Sequence, residues 1–176
     1  MSTGVSPGRV AYRAGMTRER SALLGHLQAE RRHVLAATDG LAEADLTRAV
    51  APSGWSIGQL LNHLTYDDEI FWGSAIAGGD DEAIGLIQDG WKVPVTSGAD
   101  AIERYQLWSR RSDVVLAEAD LDAPPRWWPP HDVFPFPPFE DVRRCLLRLL
   151  VETATHAGHL DLAREGIDGH QHLVVP

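Results

Sequence analysis

The stretch "FEDVRRCLLRLLVETATHAGHLDLAREG", residues 139–166, predicts a long amphipathic helix that begins near 139–141 and continues to about Glu165. Apolar side chains recur in it every three or four residues, which is the period of a helix packed against a core. The residues on this face are Val142, Cys145, Leu146, Leu149, Thr153 and Leu160. Glycines at 166 and 169 end the helix. A helix with this apolar face needs other elements to cover it.

The same helix carries a carboxylate and two imidazoles, those of Glu152, His156 and His159, at spacings of four and three. An α-helix turns about 100° per residue, so the three side chains share one stripe at the edge of the apolar face. A partly buried carboxylate beside an imidazole is costly unless it is paired or binds a metal. The pattern therefore allows either an ion pair within one helix or two ligands of a divalent cation.

Three further segments predict the helices that complete the core. They span 17–39, 56–79 and 97–120, and a serine caps the second and the third. A short helical turn is predicted at 42–46, and 80–96 is predicted to be a loop with at most one turn. Four long amphipathic helices predict an all-α fold, a four-helix bundle. On the second helix, the predicted buried stripe comprises Ile57, Leu60, Leu61, Leu64 and Phe71.

The segment "LDAPPRWWPPHDVFPFPPFE", residues 121–140, contains seven prolines and five aromatic residues. Proline removes a backbone donor and restricts the preceding residue, so this segment is predicted to be an extended loop before the last helix. Two roles remain open for its proline- and aromatic-rich part, residues 124–139. Its aromatic side chains either form the wall of a site for an apolar substrate or cap the end of the bundle; they are Trp127, Trp128, Phe134 and Phe136.

Length and charge limit the organisation and the partners of the chain. With 176 residues, we predict a flexible N-terminal tail over 1–15 and a single domain over 16–176. A net charge of −9 argues against binding to nucleic acid or to an anionic membrane surface. No apolar run approaches the roughly 20 residues that cross a bilayer, and no secretory signal is visible, so we predict a cytoplasmic protein.

The chain has a single cysteine, Cys145. A single cysteine cannot form an internal disulfide or a cysteine-based zinc cluster, so any metal must be held by nitrogen and oxygen ligands. Its position on the apolar face favours a small core residue, and a nucleophilic thiol is the alternative.

His63 is the candidate for a third metal ligand. It lies beside Leu60 and Leu64 on the second predicted helix, and it would face the same core if that helix neighbours the last one. Asp67, one turn further on, is placed to accept the proton on its other ring nitrogen. A hydrogen-bonded core histidine is the alternative. The other histidines have no evident partner at ligand spacing and are predicted to be solvated or structural: His26, His33, His131, His170 and His172.

Two stretches, "APSGWSIGQLLNHLTYDDEIFW" (51–72) and "LLRLLVETATHAGHLDLAREGIDG" (146–169), together resemble the DinB/YfiT-like superfamily of metal-binding four-helix bundles. The branch they resemble is the one related to mycothiol S-transferases, and the likeness covers 17–169. It implies an up-down-down-up bundle in which His63, Glu152 and His156 bind a divalent metal, and it makes a homodimer plausible. A carboxylate at 152 is similar to the thiol-dependent maleylpyruvate isomerase members. His159 would be a fourth ligand, an outer partner of a ligand, or a surface residue.

The resemblance implies a metal-dependent thiol S-transferase. The metal, zinc first with nickel, iron and manganese also compatible, would activate a low-molecular-weight thiol of the mycothiol type for attack on a small electrophile. A metal-dependent hydrolase or a thiol-dependent isomerase would use the same ligands. A non-catalytic bundle that binds a metal or a small ligand is the third possibility, and a fourth protein ligand would favour it.

Overall fold

A computed structural model describes residues 18–172, and within this range the chain is all-α, as the sequence predicts. No strand forms among these residues; Ala49 and Ser56 make one isolated β-bridge. The elements in chain order are α1 (Arg18–Ala36), α2 (Glu43–Thr47), α3 (Ile57–His63), a π-helix (Leu64–Ile76), α4 (Asp81–Gly85), a 3-10 turn (Gly90–Lys92), α5 (Gly98–Glu118) and α6 (Val142–Asp168).

Polar side chains fix where the long helices begin. The Ser56 hydroxyl accepts a hydrogen bond from the Gln59 backbone N–H, and the Gln59 side chain accepts one from the Ser56 N–H, which is a complete capping box. Ser97 and Asp141 accept backbone hydrogen bonds in the same way at the starts of α5 and α6. The predicted caps therefore set the direction in which each helix leaves its loop.

Side-chain contacts give the relative directions of the long helices. An ion pair between Glu19 and Arg143 joins the starts of α1 and α6, and a contact between His33 and Asp161 joins their later turns. These two helices therefore run in the same direction. The start of α1 meets the end of α5, so that pair runs in opposite directions.

The helix made of α3 and the π-helix runs parallel to α5. Arg104 donates to the Asn62 side chain near the start of both, and Ser112 donates to Glu69 further along both. A Cβ on Gly73 would lie 2.6 Å from the Ser112 Cβ, so a glycine at this position lets the two backbones approach closely. These directions agree with the predicted up-down-down-up order, while the exact bundle topology stays a prediction.

Thirteen residues, Leu64–Ile76, form a π-helix in continuation of α3. The i→i+5 bonding of a π-helix turns the chain by roughly 80° per residue, against about 100° in an α-helix. Asp68 consequently lies roughly 40° from His63 around the axis, whereas an α-helix would place it about 140° away. The π-helix thus brings Asp68 to the side of the helix on which His63 lies, whereas Asp67 would lie on that side in an α-helix as well.

This geometry also corrects one predicted core position. Phe71 was expected on the buried stripe, but it is only half-buried, and its neighbours Ile70 and Trp72 are the buried residues. The prediction was wrong because it assumed an α-helical period throughout. The other four residues of that stripe are buried as expected.

A charged network lies inside the bundle between α1, the π-helix and α5. Arg31 donates to both carboxylate oxygens of Glu69, at 2.6 and 2.5 Å, and to Asp113 at 2.5 Å. Ser112 and Ser109 also donate to Glu69, which is fully buried. Burial opposes the charge on Arg31, but the two carboxylates hold its pKa above the usual value. The charge of Glu69 is therefore already compensated.

The predicted helices at 17–39 and 97–120 correspond to α1 and α5. The region 80–96 contains two helical turns, α4 and the 3-10 turn, and not the predicted loop with one turn at most, because Asp80 and Asp89 each accept a backbone hydrogen bond at the start of a turn. The tail 1–15 lies outside the described residues, and the assignment of a single domain stays a prediction. Over residues 18–172, no helix has the length and apolar character that crossing a membrane requires.

Candidate metal centre

Three predicted ligands meet between α3 and α6. The Nε2 atoms of His63 and His156 lie 3.1 Å apart, and His156 Nε2 lies 3.4 Å from a Glu152 carboxylate oxygen. One ligand atom from each of the three residues falls within 4.8 Å of the others. The side chains are mostly buried, with 12–18 % of their surface exposed. The predicted convergence of these distant positions is therefore present.

Asp67 orients the His63 ring. The His63 Nδ1 lies 2.6 Å from an Asp67 carboxylate oxygen, and the Gly90 backbone N–H donates to the same carboxylate. A carboxylate only accepts at neutral pH, so the His63 Nδ1 carries the proton and its Nε2 presents a lone pair to the cluster. This is the contact that the sequence predicts for Asp67.

His159 stands in the corresponding position behind His156. Their Nδ1 atoms lie 3.1 Å apart, so a proton on His156 Nδ1 would be donated to His159 and leave Nε2 free. Burial, followed by the influence of His63, His159 and Arg148, lowers the pKa of His156 to about 4. The Nε2 atoms of His63 and His156 face each other at 3.1 Å, a distance that suits either a hydrogen bond between the rings or a cation bound by both.

Asp68 adds an unsatisfied carboxylate to this cluster. It is 2 % exposed, and its Oδ2 atom has no hydrogen-bond partner within residues 18–172. The same atom lies 3.8 Å from His63 Nε2. Burial, followed by the charges of Glu152 and Glu69, raises its pKa well above the usual value. A buried carboxylate without a partner is costly, so the donor set of the cluster fits a divalent cation.

Glu152 has a second partner outside the cluster. One of its oxygens lies 2.6 Å from Arg148 on the preceding turn of α6, while the other lies 3.4 Å from His156. The sequence did not predict Arg148 as a partner of Glu152, and binding of a metal remains compatible with this pair because the two partners use different oxygens.

Trp91 covers the outer face of His63, and the sequence analysis missed it. The two rings stack with centroids 4.5 Å apart. A Cβ on the preceding Gly90 would lie 2.7 Å from the His63 Cα and from the Asn62 carbonyl oxygen, so only glycine fits where this turn meets α3. The sole signal in the sequence is a Gly-Trp pair in a polar loop.

The cluster opens onto a cleft of about 1070 Å³. Its lining includes His63, Asp68 and Glu152 together with an aromatic wall. The wall is formed by Phe71, Trp72, Phe134, Phe136 and Phe139. A few polar groups among apolar rings are typical of a site that orients a small molecule.

The loop 124–139 contributes to both predicted roles. Phe134 and Phe136 line the cleft, with ring centroids 4.9 Å apart. Trp127 and Trp128 instead pack against the buried cluster around Trp72. The loop therefore closes one end of the bundle and also lines the cleft.

The cleft lining does not include Cys145, which is fully buried in the core. Burial raises the pKa of its thiol to about 12, so at neutral pH almost no thiolate is present to act as a nucleophile. The position in the structure supports its interpretation as a core residue.

We expect Cys145 to react with an aromatic disulfide reagent at pH 8 at least about 100-fold more slowly in the native protein than in urea, because burial suppresses the thiolate. Absorbance of the released thiol measures this directly, since the chain has no other cysteine. Rapid modification of the native protein together with loss of activity would restore the nucleophile interpretation.

Two other histidines have partners that the sequence analysis did not identify. His33 Nε2 lies 2.7 Å from an Asp161 oxygen, and the His33 ring stacks on His172 with centroids 3.8 Å apart and planes 16° from parallel. The expectation that these histidines lack a close partner is wrong. One ligand atom of each of His33, Asp161 and His172 lies within 4.8 Å of the others. The two imidazole rings are stacked face to face, however, so their nitrogen lone pairs lie in parallel planes and do not point toward one shared position. We interpret this contact as packing between α1 and the segment after α6.

Comparison with known proteins assigns the chain to a family. A family model described as mycothiol-S-transferase matches residues 22–169, which include every residue of the candidate centre. The comparison with curated proteins gave no match. Because the matched region covers most of the chain and confirms the resemblance drawn from residues 17–169, the protein belongs to the mycothiol S-transferase family, a DinB/YfiT-like family.

Proposed function

We propose that the protein is a metal-dependent thiol S-transferase that uses a low-molecular-weight thiol of the mycothiol type and a small electrophile. One observation carries the proposal: His63, Glu152 and His156 converge at the edge of an apolar cleft. Membership of the family supports the thiol and the type of reaction.

In this proposal His63, Glu152 and His156 hold the cation, while Asp67 and His159 fix the two imidazole rings. A bound divalent cation lowers the pKa of a thiol and makes the thiolate available at neutral pH. Two imidazoles and a carboxylate suit zinc, and nickel, iron and manganese are also compatible with such a set. A homodimer and a cytoplasmic location are further parts of the proposal.

The residues of the cleft bind and orient the electrophile. The aromatic wall offers apolar surface to its carbon skeleton and excludes water from the reacting atoms. The sulfur then forms a bond to the electrophilic carbon, a leaving group departs with its electron pair, and the thiol proton passes to solvent. An apolar or aromatic electrophile is expected to bind better than a polar one of equal size.

The test uses the full chain, depleted of metal and then supplied separately with zinc, nickel, iron or manganese. With mycothiol and a bromobimane as electrophile, we expect at least one reconstituted form to make the fluorescent conjugate well above the uncatalysed rate. The chelated protein serves as the control. No conjugate with any of the metals would overturn the proposal, and turnover of an ester or amide substrate without thiol would favour the hydrolase.

A further inference from the structure

The π-helix determines where Asp68 lies relative to His63. Within an α-helix its side chain would project roughly 140° away from His63, and the i→i+5 geometry brings it to about 40°. Its side chain is only 3 % exposed and lines the cleft beside the three predicted ligands. The helix therefore places a carboxylate at the cleft with almost none of its surface exposed to solvent.

The nearby acidic side chains each have a compensating partner. Glu69 accepts from Arg31, Asp67 accepts from Gly90 and pairs with His63, and Glu152 pairs with Arg148. The Asp68 Oδ2 atom has no hydrogen-bond partner in the part of the chain that the structure describes. Among the described residues, Asp68 Oδ2 is therefore the buried carboxylate oxygen of this cluster that has no hydrogen-bond partner.

Distances among the three predicted ligands match one coordination shell, and Asp68 lies beside it. In a tetrahedral site with bonds of about 2.1 Å, neighbouring ligand atoms are about 3.4 Å apart. The separation is 3.1 Å between the two Nε2 atoms and 3.4 Å between His156 and Glu152. Asp68 Oδ2 lies 3.8 Å from His63 Nε2 but outside the group whose ligand atoms all lie within 4.8 Å of one another, so binding the cation would draw it closer to the other two ligands.

We propose that Asp68 is a fourth protein donor to the cation held by His63, Glu152 and His156. This inference rests on the proposed metal centre and extends it. The centre then has two neutral imidazoles and two carboxylates, whose charges balance those of a divalent cation. An incoming thiol has to take the place of the Asp68 oxygen or join it in a larger coordination shell.

The test compares wild-type protein with Asp68→Asn and Asp68→Glu. Asparagine keeps the shape of the side chain and removes its charge, so we expect at least about 10-fold weaker metal affinity in competition with a chelator. The visible spectrum of the cobalt(II)-loaded protein should change as well, because one oxygen donor is altered. Glutamate should retain a carboxylate donor and recover part of the affinity.

The metal-free proteins separate a ligand from a structural residue. If Asp68 serves the cation, metal-free Asp68→Asn should melt at the same temperature as metal-free wild type or higher, because a buried unpaired carboxylate has been removed. Asp132→Asn, which removes an exposed carboxylate from the loop beside the cleft, is the matched control and should bind metal like wild type.

Equal metal affinity and an unchanged cobalt spectrum in Asp68→Asn would overturn this inference and leave the proposed function intact. A wild-type protein that binds no divalent metal would overturn both. If metal affinity falls only in variants whose metal-free form is also strongly destabilised, Asp68 is a structural residue, and its role as a donor is overturned.

Discussion

Replacing His156 by alanine is expected to abolish the metal-dependent stability of the protein together with the proposed transferase activity. A metal that binds only the folded state stabilises it by about 2.7 kcal/mol when present at 100 times its Kd. Removing a central imidazole of the cluster should eliminate this gain, since His156 lies within 3.1–3.4 Å of both other ligand atoms. We expect kcat/KM with mycothiol to fall by at least about 100-fold, because the thiol loses the cation that lowers its pKa.

Thermal melting with and without zinc, alongside the bimane assay, measures both effects. His26→Ala is the control, because His26 is an exposed histidine on α1 and far from the centre in sequence. Its metal-dependent shift in Tm and its activity should equal those of wild type. If His156→Ala still gained stability from zinc and kept its activity, the metal centre would have to be sought elsewhere.

Replacing Glu69 by alanine should be the most destabilising single change in the bundle. Arg31 is 4 % exposed and Glu69 is fully buried, and the two share a pair of hydrogen bonds. Removing the carboxylate leaves a buried guanidinium with only Asp113 as an acidic partner, and breaking a buried pair in this way costs about 3–5 kcal/mol. Urea unfolding followed by circular dichroism measures the change.

Two variants make this result specific. Arg31→Met combined with Glu69→Leu removes both charges, and it should recover much of the loss, because an apolar pair avoids the cost of burying an ion. Arg48→Ala breaks an exposed ion pair with Asp45 and should cost less than about 1 kcal/mol. A loss in Arg48→Ala as large as that in Glu69→Ala would contradict the account of the network.

The helices and most of the candidate ligand triad were accessible from the sequence because they depend on local periodicity. The apolar face of α6 is buried at each predicted position from Val142 to Leu160. The spacing of Glu152 and His156 places them on one stripe of an α-helix, whatever that helix packs against. His63 required an additional assumption, that two helices distant in the chain are neighbours, and the family resemblance supplied it.

The features that the sequence did not predict depend on tertiary contacts or on the π-helix. The segment 64–76 contains no glycine or proline signal for a π-helix before Gly73, so periodicity predicts an α-helix and places Asp68 away from the site. The pairing of Arg31 with Glu69 joins residues 38 positions apart and has no local signature. Trp91 reaches His63 only because the 3-10 turn folds back onto α3.

The π-helix leaves room for a one-residue deletion at this point. A segment bonded i→i+5 holds more residues per turn than an α-helix does, so deleting one of the residues 64–66 would allow an α-helical turn to form there. Four steps of about 100° turn the chain as far as five steps of roughly 80°, so the residues beyond the deletion would keep their sides of the helix. Glu69 would still face Arg31 and Asp68 would still face the cleft, and this turn would tolerate the loss of a residue that an α-helix would not.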